Sequence, residues 1–285
     1  MRWQRKSSLV LALSLFIALL VWSQMGMYIV HLIFGVNVKV NFFKFCISLF
    51  RENTLYYFIV ITFLNSLVAY AILITLIKIT QQFVLSRRFK TRLMSLRNIN
   101  LTARVIQQFK PMNQNIIVID HNQAMAFTVG FRRPLVVLSS ELIEMLDHSE
   151  LEAVIEHESF HQSHHDSLKI FMLQLISQSL WFIPITKWTY HNYKLMSELL
   201  ADEYAIKKTG SELGLGSALL KLIKKGFSDN PTPVLVYFTD GVVNYRLQQL
   251  VDPGHDIPVR LGTTSIVISI YVLLLFMGMI IMAIT

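Results

Sequence analysis

Cysteine and charge are both scarce in this sequence. Cys46 is the single cysteine among 285 residues, which excludes a disulfide framework and a cysteine-based zinc cluster. Charged residues make up 15% of the chain and hydrophobic residues 53%, whereas soluble domains average about 25% charged residues. Internal repeats and low-complexity linkers are also absent from the sequence. The composition therefore excludes an ordinary soluble domain and predicts a membrane protein.

Three segments are long and apolar enough to cross a bilayer. They cover residues 9–34, 56–79 and 264–284, and a helix of about 20 residues spans a hydrocarbon core of about 30 Å. We therefore predict two transmembrane helices with a short external loop in residues 1–79, and a C-terminal transmembrane helix in residues 264–285. A fourth apolar stretch, residues 170–188, meets the same hydropathy criterion.

The positions of lysine and arginine predict the orientation of these spans. Basic residues collect before the first span, after the second and before the third, whereas the loop at 36–55 has only three. Since basic residues favour the cytoplasmic ends of spans, we predict that the N-terminus and residues 80–263 are cytoplasmic in a multi-pass protein of the cell membrane. The clusters follow the membrane ends and lack interleaved aromatic residues, which argues against direct nucleic-acid binding.

The central motif of the chain is an H-E-x-x-H pattern. Ser149 and Glu152 form a capping-box pattern ahead of apolar residues at helical spacing, so the motif is predicted to lie on a helix. On that helix His157 and His161 share one face, where both imidazoles can bind one Zn²⁺. Glu158 lies beside them and can accept a proton from a water molecule. The pattern predicts a catalytic zinc site.

A catalytic zinc site needs a third protein ligand and an open position for water. The metzincin pattern is excluded because it requires glycine and histidine where this chain has His164 and Ser167. Further on, Glu198 and Asp202 share a helical face. We predict that Glu198 is the third ligand and that Asp202 accepts a hydrogen bond from a ligand imidazole. An exposed acidic face that balances nearby lysines is the other interpretation, and we interpret the Asp-Gly pair at 240–241, which a site-2 protease would use, as a turn.

The third ligand decides how the fourth apolar stretch, residues 170–188, is arranged. If this stretch crossed the bilayer, Glu198 would lie on the opposite side from the two histidines. Basic residues on both sides of the stretch also favour no net crossing. Pro184 provides a turn, so we predict a helical hairpin over residues 168–206 that dips into the bilayer or packs against the other spans. The first helix should then bend or end near residues 163–166.

Four motifs follow one another in a recognisable order. They are residues 126–138, the H-E-x-x-H motif with Asp166, the Trp-Phe-x-Pro segment that ends at Pro184, and the Glu-x-x-x-Asp pair at 198–202. In these motifs and their separations the chain resembles the membrane gluzincin metallopeptidases of the BlaR1/MecR1 type, the M56 family. The resemblance covers residues 115–205, and ordered motifs are much harder to meet by chance than one pentapeptide.

The resemblance implies a zinc endopeptidase that cuts a cytosolic protein, either a DNA-binding repressor or itself, to relay a signal. It implies that His157, His161 and Glu198 bind Zn²⁺ and that Glu158 is the general base. It also implies that residues 134–139 form an edge strand to which an extended substrate adds as a further strand. The central residues of that strand are Leu135, Val136, Val137 and Leu138. The expected partners are the lipid bilayer and a peptide or protein substrate, and a homo-oligomer is compatible with the sequence.

One departure from the family concerns sensing. The sensor-transducers of this family continue past their last span into an extracellular penicillin-binding domain, whereas this chain stops at Thr285. It has no Ser-x-x-Lys acylation site placed outside the membrane. We therefore do not expect β-lactam sensing.

Two other functions stay open at this point. Proteases of the HtpX and prenyl-protein-peptidase type share H-E-x-x-H followed by Glu-x-x-x-Asp, and they would act in protein quality control. A membrane signalling protein could also bind zinc and cleave nothing, although it would not need a base such as Glu158. The residue that stabilises the oxyanion is not identified, and the candidates are His165, Tyr204, Tyr245, Arg246 and His255.

These observations predict the fold class. We expect an α-helical integral membrane protein with a mostly helical gluzincin zinc-protease domain, at residues 80–263, that carries a small β-sheet. The predicted strands are residues 115–120 and 134–139. The region 226–262, which is rich in proline, is predicted to be a loop with one short helix at 244–250.

Overall fold

A computed structural model describes residues 2–38, 40–109, 115–228, 242–252 and 262–284. The elements are mostly helices, with one small three-stranded sheet, as the sequence predicts. In chain order they are α1 (Arg2–Phe34), α2 (Phe42–Ser48), α3 (Leu55–Ser95), α4 (Ile99–Phe109), β1 (Ile116–Ile119), β2 (Ala126–Val129), β3 (Leu135–Ser139), α5 (Ser140–Met145), α6 (His148–His164), α7 (Asp166–Ser179), α8 (Pro184–Thr209), α9 (Glu212–Ser228), α10 (Val242–Val251) and α11 (Thr263–Ile284).

The chain forms two compact units. The apolar unit contains Ser8–Gln82, Met172–Asn192 and Arg260–Thr285, and the sheet unit contains Met1–Ser7, Phe83–Phe171 and Tyr193–Val259. The first set of segments holds the predicted spans, and the second holds the H-E-x-x-H motif.

The apolar unit contains most of each helix that is a candidate to cross a membrane. Two are long and apolar enough by length and composition, Trp3–Phe34 and Leu55–Ser95, so the helices expected at 9–34 and 56–79 are confirmed. The second helix runs on to Ser95 because residues 80–95 contain neither glycine nor proline to end it. The third predicted span is also helical, but its apolar part, Thr263–Gly278, is shorter. That α11 crosses the bilayer stays a prediction.

In the core of the apolar unit, residues of α1 and α3 pack against residues of the predicted hairpin. Its buried members include Ile17 and Val21 of α1, Val68 of α3, and Ile176 near the end of α7. Phe42 of α2 stacks on Phe276 of α11 with ring centroids 3.8 Å apart. Within this unit, the hairpin therefore packs against the other apolar helices, which is one of the two arrangements expected.

The hairpin itself is confirmed as two helices with a break before Pro184. Helix α7 ends at Ser179 and α8 begins at Pro184, with the Ile183 N–H bonded to the Leu180 carbonyl at 2.9 Å. Proline at the first helical position loses no hydrogen bond, because that N–H has no partner within the helix anyway. Placement of the hairpin in the membrane stays a prediction.

The sheet corrects the prediction about the edge strand. Its order is β1-β3-β2, with β1 parallel and β2 antiparallel to β3. The four predicted edge residues, 135–138, therefore lie in the central strand. Three of them, Val136, Val137 and Leu138, are 0% exposed. An uninterrupted apolar run is typical of a strand covered on both faces, and this signal pointed away from an edge. The edge strand beside the H-E-x-x-H helix is β2, which was not among the predicted strands.

The start of α6 differs from the predicted capping box. The N-cap is Asp147 instead of Ser149, and the box partner is Glu150 instead of Glu152. The Asp147 carboxylate accepts the Glu150 N–H at 2.9 Å, and Glu150 accepts the Asp147 N–H at 2.9 Å. A carboxylate is the stronger acceptor at the positive end of a helix, so the helix begins one residue before the serine.

The remaining sequence predictions about local structure have mixed outcomes. The break expected at 163–166 is present, since α6 ends at His164 and α7 begins at Asp166. The short helix expected at 244–250 is α10. The Asp-Gly turn at 240–241 lies outside the described residues, as does most of the predicted loop of 226–262.

Replacement of Glu150 by Gln tests how α6 is held within the sheet unit. Glu150 is 2% exposed and binds the Ser217 hydroxyl and the Lys221 ammonium of α9. Burial raises the pKa of Glu150. These donors and the Asp147 N–H lower the pKa by more than burial raises it, so the net shift is downward. The charged form therefore stabilises the fold above the ordinary glutamate pKa, and this contribution is lost as pH falls through the native pKa.

We expect Glu150→Gln to lower the free energy of unfolding by about 1–3 kcal/mol at pH 7 and by less at pH 3. Thermal unfolding in detergent at both pH values measures this difference. Glu144→Gln is the matched control, since Glu144 is exposed on α5. Equal effects of the two substitutions would contradict the prediction.

Candidate metal centre

Two helices of the sheet unit bring three candidate ligands together. His157 and His161 lie on α6 and Glu198 lies on α8. The two Nε2 atoms are 3.2 Å apart, and they lie 3.4 and 3.6 Å from the Glu198 carboxylate oxygens. Tetrahedral zinc with bonds of about 2.0–2.1 Å would hold its ligand atoms about 3.3 Å apart. The three side chains therefore lie close enough together to be candidate ligands of one metal ion.

A carboxylate lies beside the other nitrogen of each imidazole. His157 Nδ1 lies 2.9 Å from Asp202 Oδ1, and His161 Nδ1 lies 2.9 Å from Asp166 Oδ2. A carboxylate at Nδ1 selects the tautomer whose Nε2 lone pair is free for a metal. Asp202 thus stands where the sequence placed it. Asp166 was part of the family motif, but no role was predicted for it. The Tyr193 hydroxyl donates a hydrogen bond to Asp166 at 3.1 Å, and Tyr193 was not identified from the sequence.

A left-handed residue brings Asp166 to His161. His165 follows the last residue of α6 with φ 52° and ψ 40°, and α7 begins at the next residue. In an uninterrupted helix, a side chain five positions after His161 would lie on another face. The break therefore has a role in the site beyond ending the helix. His165 itself is exposed.

Arg246 is the residue of α10 that reaches the site. Its guanidinium donates to both oxygens of Asp202 at 2.7 and 2.8 Å, and Nη1 lies 3.2 Å from Glu198 Oε2. This side chain was an oxyanion candidate, and the structure instead pairs it with two carboxylates. Of the other candidates, Tyr204 packs against the Phe160 ring with centroids 5.5 Å apart, and His255 lies outside the described residues.

The charges around the ligands shift their pKa values in opposite directions. Burial lowers the pKa of His157, but Asp202 and Glu198 outweigh burial and Arg246 and raise it to about 9. Burial raises the pKa of Glu198, and the two histidines and Arg246 reverse this effect, so the net pKa is lowered. Because an imidazole must be neutral to bind a metal, binding would displace a proton from His157.

Glu158 lies beside the ligands and binds the edge strand. It is 8% exposed, and its Oε2 accepts a hydrogen bond from the Thr128 hydroxyl of β2 at 2.8 Å. The same hydroxyl is 2.9 Å from the Glu158 carbonyl oxygen. Thr128 was not identified from the sequence, since its strand was not predicted and a lone threonine gives no signal.

Substitution of Arg246 tests whether the guanidinium supports the metal site. In Arg246→Gln, Asp202 would remain 2% exposed without its cation and would no longer be held against His157. We expect affinity for Zn²⁺ to fall about 10- to 100-fold, as for other residues that orient metal ligands. Competition with a chelating dye measures the affinity, and Arg104→Gln, at an exposed arginine of α4, is the control. Unchanged affinity in Arg246→Gln would refute this role.

Comparison with known proteins agrees with the geometry. Residues 51–250, more than half of the chain, match the family described as BlaR1 peptidase M56. No match was found among curated proteins. The matched region contains the three candidate ligands, the base and both supporting carboxylates. The chain therefore belongs to the BlaR1 peptidase M56 family of zinc metallopeptidases.

Proposed function

We propose that this protein is a membrane-bound zinc endopeptidase with a cytoplasm-facing active site. We further propose that it cleaves a cytosolic repressor, or itself, to relay a signal. The proposal of peptidase activity rests on one observation: His157, His161 and Glu198 lie together, and Glu158 lies beside them. Three protein ligands and an adjacent carboxylate are typical of catalytic zinc, whereas structural zinc has four ligands.

The side chains divide the reaction between them. Zinc, when bound, supplies a Lewis acid that polarises the scissile carbonyl and makes water more acidic. Glu158 accepts a proton from the attacking water and delivers it to the leaving amine. Asp202 and Asp166 keep the two ligand imidazoles in the tautomer that binds metal.

The corrected sheet supports a different substrate strand from the one predicted. Among the described residues, β2 pairs with β3 alone, so its other edge can accept an extended peptide. Thr128 of this strand touches Glu158. A substrate that adds to β2 would thus pass beside the general base. Strand β3 cannot accept a substrate in this way, because both of its edges are paired within the sheet.

The orientation rests on charge. Helix α3 ends with four basic residues within six positions, Arg87, Arg88, Lys90 and Arg92. Lys207 and Lys208 are exposed at the end of α8. Since such residues favour the cytoplasmic side, the end of α3 and the end of α8 would both lie in the cytoplasm.

A cysteine-accessibility experiment tests this orientation. The single native cysteine allows a cysteine-free background, Cys46→Ser, into which Lys207→Cys is introduced. We expect a membrane-impermeant maleimide to label this position only after permeabilisation. Arg51→Cys, in the predicted external loop, is the control and should be labelled in intact cells. Labelling of Lys207→Cys in intact cells would overturn the proposed orientation.

Substitution of Glu158 tests the proposed chemistry. In the purified, zinc-loaded protein, Glu158→Gln should reduce cleavage about 10²- to 10⁴-fold, because the amide cannot accept the proton of water. Bound zinc should be unchanged, since Glu158 is not a predicted ligand. Glu152→Gln, on the same helix, is the matched control. Undiminished cleavage by Glu158→Gln would reject the mechanism.

The choice of substrate separates signal relay from protein quality control. A folded winged-helix repressor encoded near the gene should be cut at one defined position if the protein relays a signal. Many cuts in unfolded casein, with the repressor left intact, would instead favour quality control. Measurement of both products by mass spectrometry distinguishes these outcomes.

A further inference from the structure

Thr128 stands at the contact between the edge strand and the proposed base. Its Oγ1 lies 2.8 Å from Glu158 Oε2 and 2.9 Å from the Glu158 carbonyl oxygen. A threonine hydroxyl has one proton, so it can donate fully to one of these oxygens at a time. The ionised carboxylate is the stronger acceptor, because a hydrogen bond to a charged group is stronger than one to a neutral carbonyl.

The backbone of Thr128 is fixed from a second direction. Its carbonyl oxygen accepts a hydrogen bond from the Ser167 hydroxyl of α7 at 3.2 Å. Ser167 directly follows Asp166, the carboxylate that holds His161. The strand residue is therefore held by the same helix start that orients a candidate zinc ligand. A β-branched side chain also has few χ1 rotamers, so the hydroxyl is fixed once the strand is fixed.

We propose that Thr128 is a positioning residue that sets the orientation of the general base. By occupying Oε2 of Glu158, its hydroxyl leaves Oε1 as the oxygen that takes the proton of water and later passes it to the leaving amine. The water oxygen bonds to the scissile carbonyl carbon as its O–H bond breaks and the Glu158 O–H bond forms. The C–N bond then breaks, and the proton leaves Glu158 to form the new N–H bond of the leaving amine. The threonine proton stays on Oγ1 throughout. This inference rests on the proposed peptidase function.

Two substitutions test the role of the Thr128 hydroxyl in the full-length, zinc-loaded protein. Thr128→Val has nearly the same shape and lacks the hydroxyl, so kcat on the fluorescein-labelled winged-helix repressor should fall about 10- to 100-fold with KM nearly unchanged. Thr128→Ser keeps the hydroxyl and should restore kcat to within about threefold of wild type. Zinc content should be the same in all variants.

The matched control is Thr102→Val. Thr102 is 2% exposed, and its hydroxyl accepts the Val118 N–H at 3.0 Å in a purely structural setting. This substitution should lower the unfolding temperature and leave kcat unchanged. A kcat loss in Thr128→Val with little change in unfolding temperature would therefore separate positioning of the base from general support of the fold.

The outcomes distinguish failure of this inference from failure of the proposed function. An active wild type, an inactive Glu158→Gln and an unchanged kcat in Thr128→Val would overturn the role of Thr128 alone. Loss of zinc from Thr128→Val would also overturn it, because the residue would then act on the metal site. A wild type as inactive as Glu158→Gln on every substrate would overturn the peptidase function itself.

Discussion

The site depends on one constraint: Glu198 of α8 must lie beside His157 and His161 of α6. After His161 the chain leaves through a left-handed residue, follows α7, turns before Pro184 and returns in α8. The middle of this hairpin belongs to the apolar unit, and its two ends belong to the sheet unit. The hairpin thus returns a third candidate ligand to the sheet unit, which holds the two histidines.

Electrostatics determines what this arrangement can hold. Four carboxylates lie in the described part of the site, those of Glu158, Asp166, Glu198 and Asp202. Buried charge without a partner is costly, and the raised pKa of His157 shows that these carboxylates favour a positive charge beside them, which a bound metal ion would supply. Arg246 supplies a further positive charge where Glu198 and Asp202 approach each other. The guanidinium therefore supports the ligands, and it is less available to an oxyanion.

In the proposed function, the position of β2 would connect this metal centre to a substrate. The strand covers the base side of α6 and has a free edge among the described residues. Its Thr128 contacts Glu158 through a side chain, while Ser167 fixes its carbonyl from α7. Peptide recognition and proton transfer would thus share one residue. The proposed order of events is strand addition first and proton transfer second.

The sequence determined those features that arise from neighbouring residues. Helical periodicity places His157 and His161 on one face whatever surrounds them, and apolar length identifies α1 and α3 as membrane helices. The shared face of Glu198 and Asp202 follows from the same periodicity. These predictions needed only residues within a few turns of each other.

Only the tertiary structure decided which distant groups meet. The choice of Asp147 over Ser149 as N-cap places Glu150 against α9, and the central position of β3 depends on the unpredicted β2. Arg246 reaches Asp202 across 44 positions of sequence. Periodicity gives no information about such pairs, because each contact depends on how separate elements pack and which buried charges they compensate.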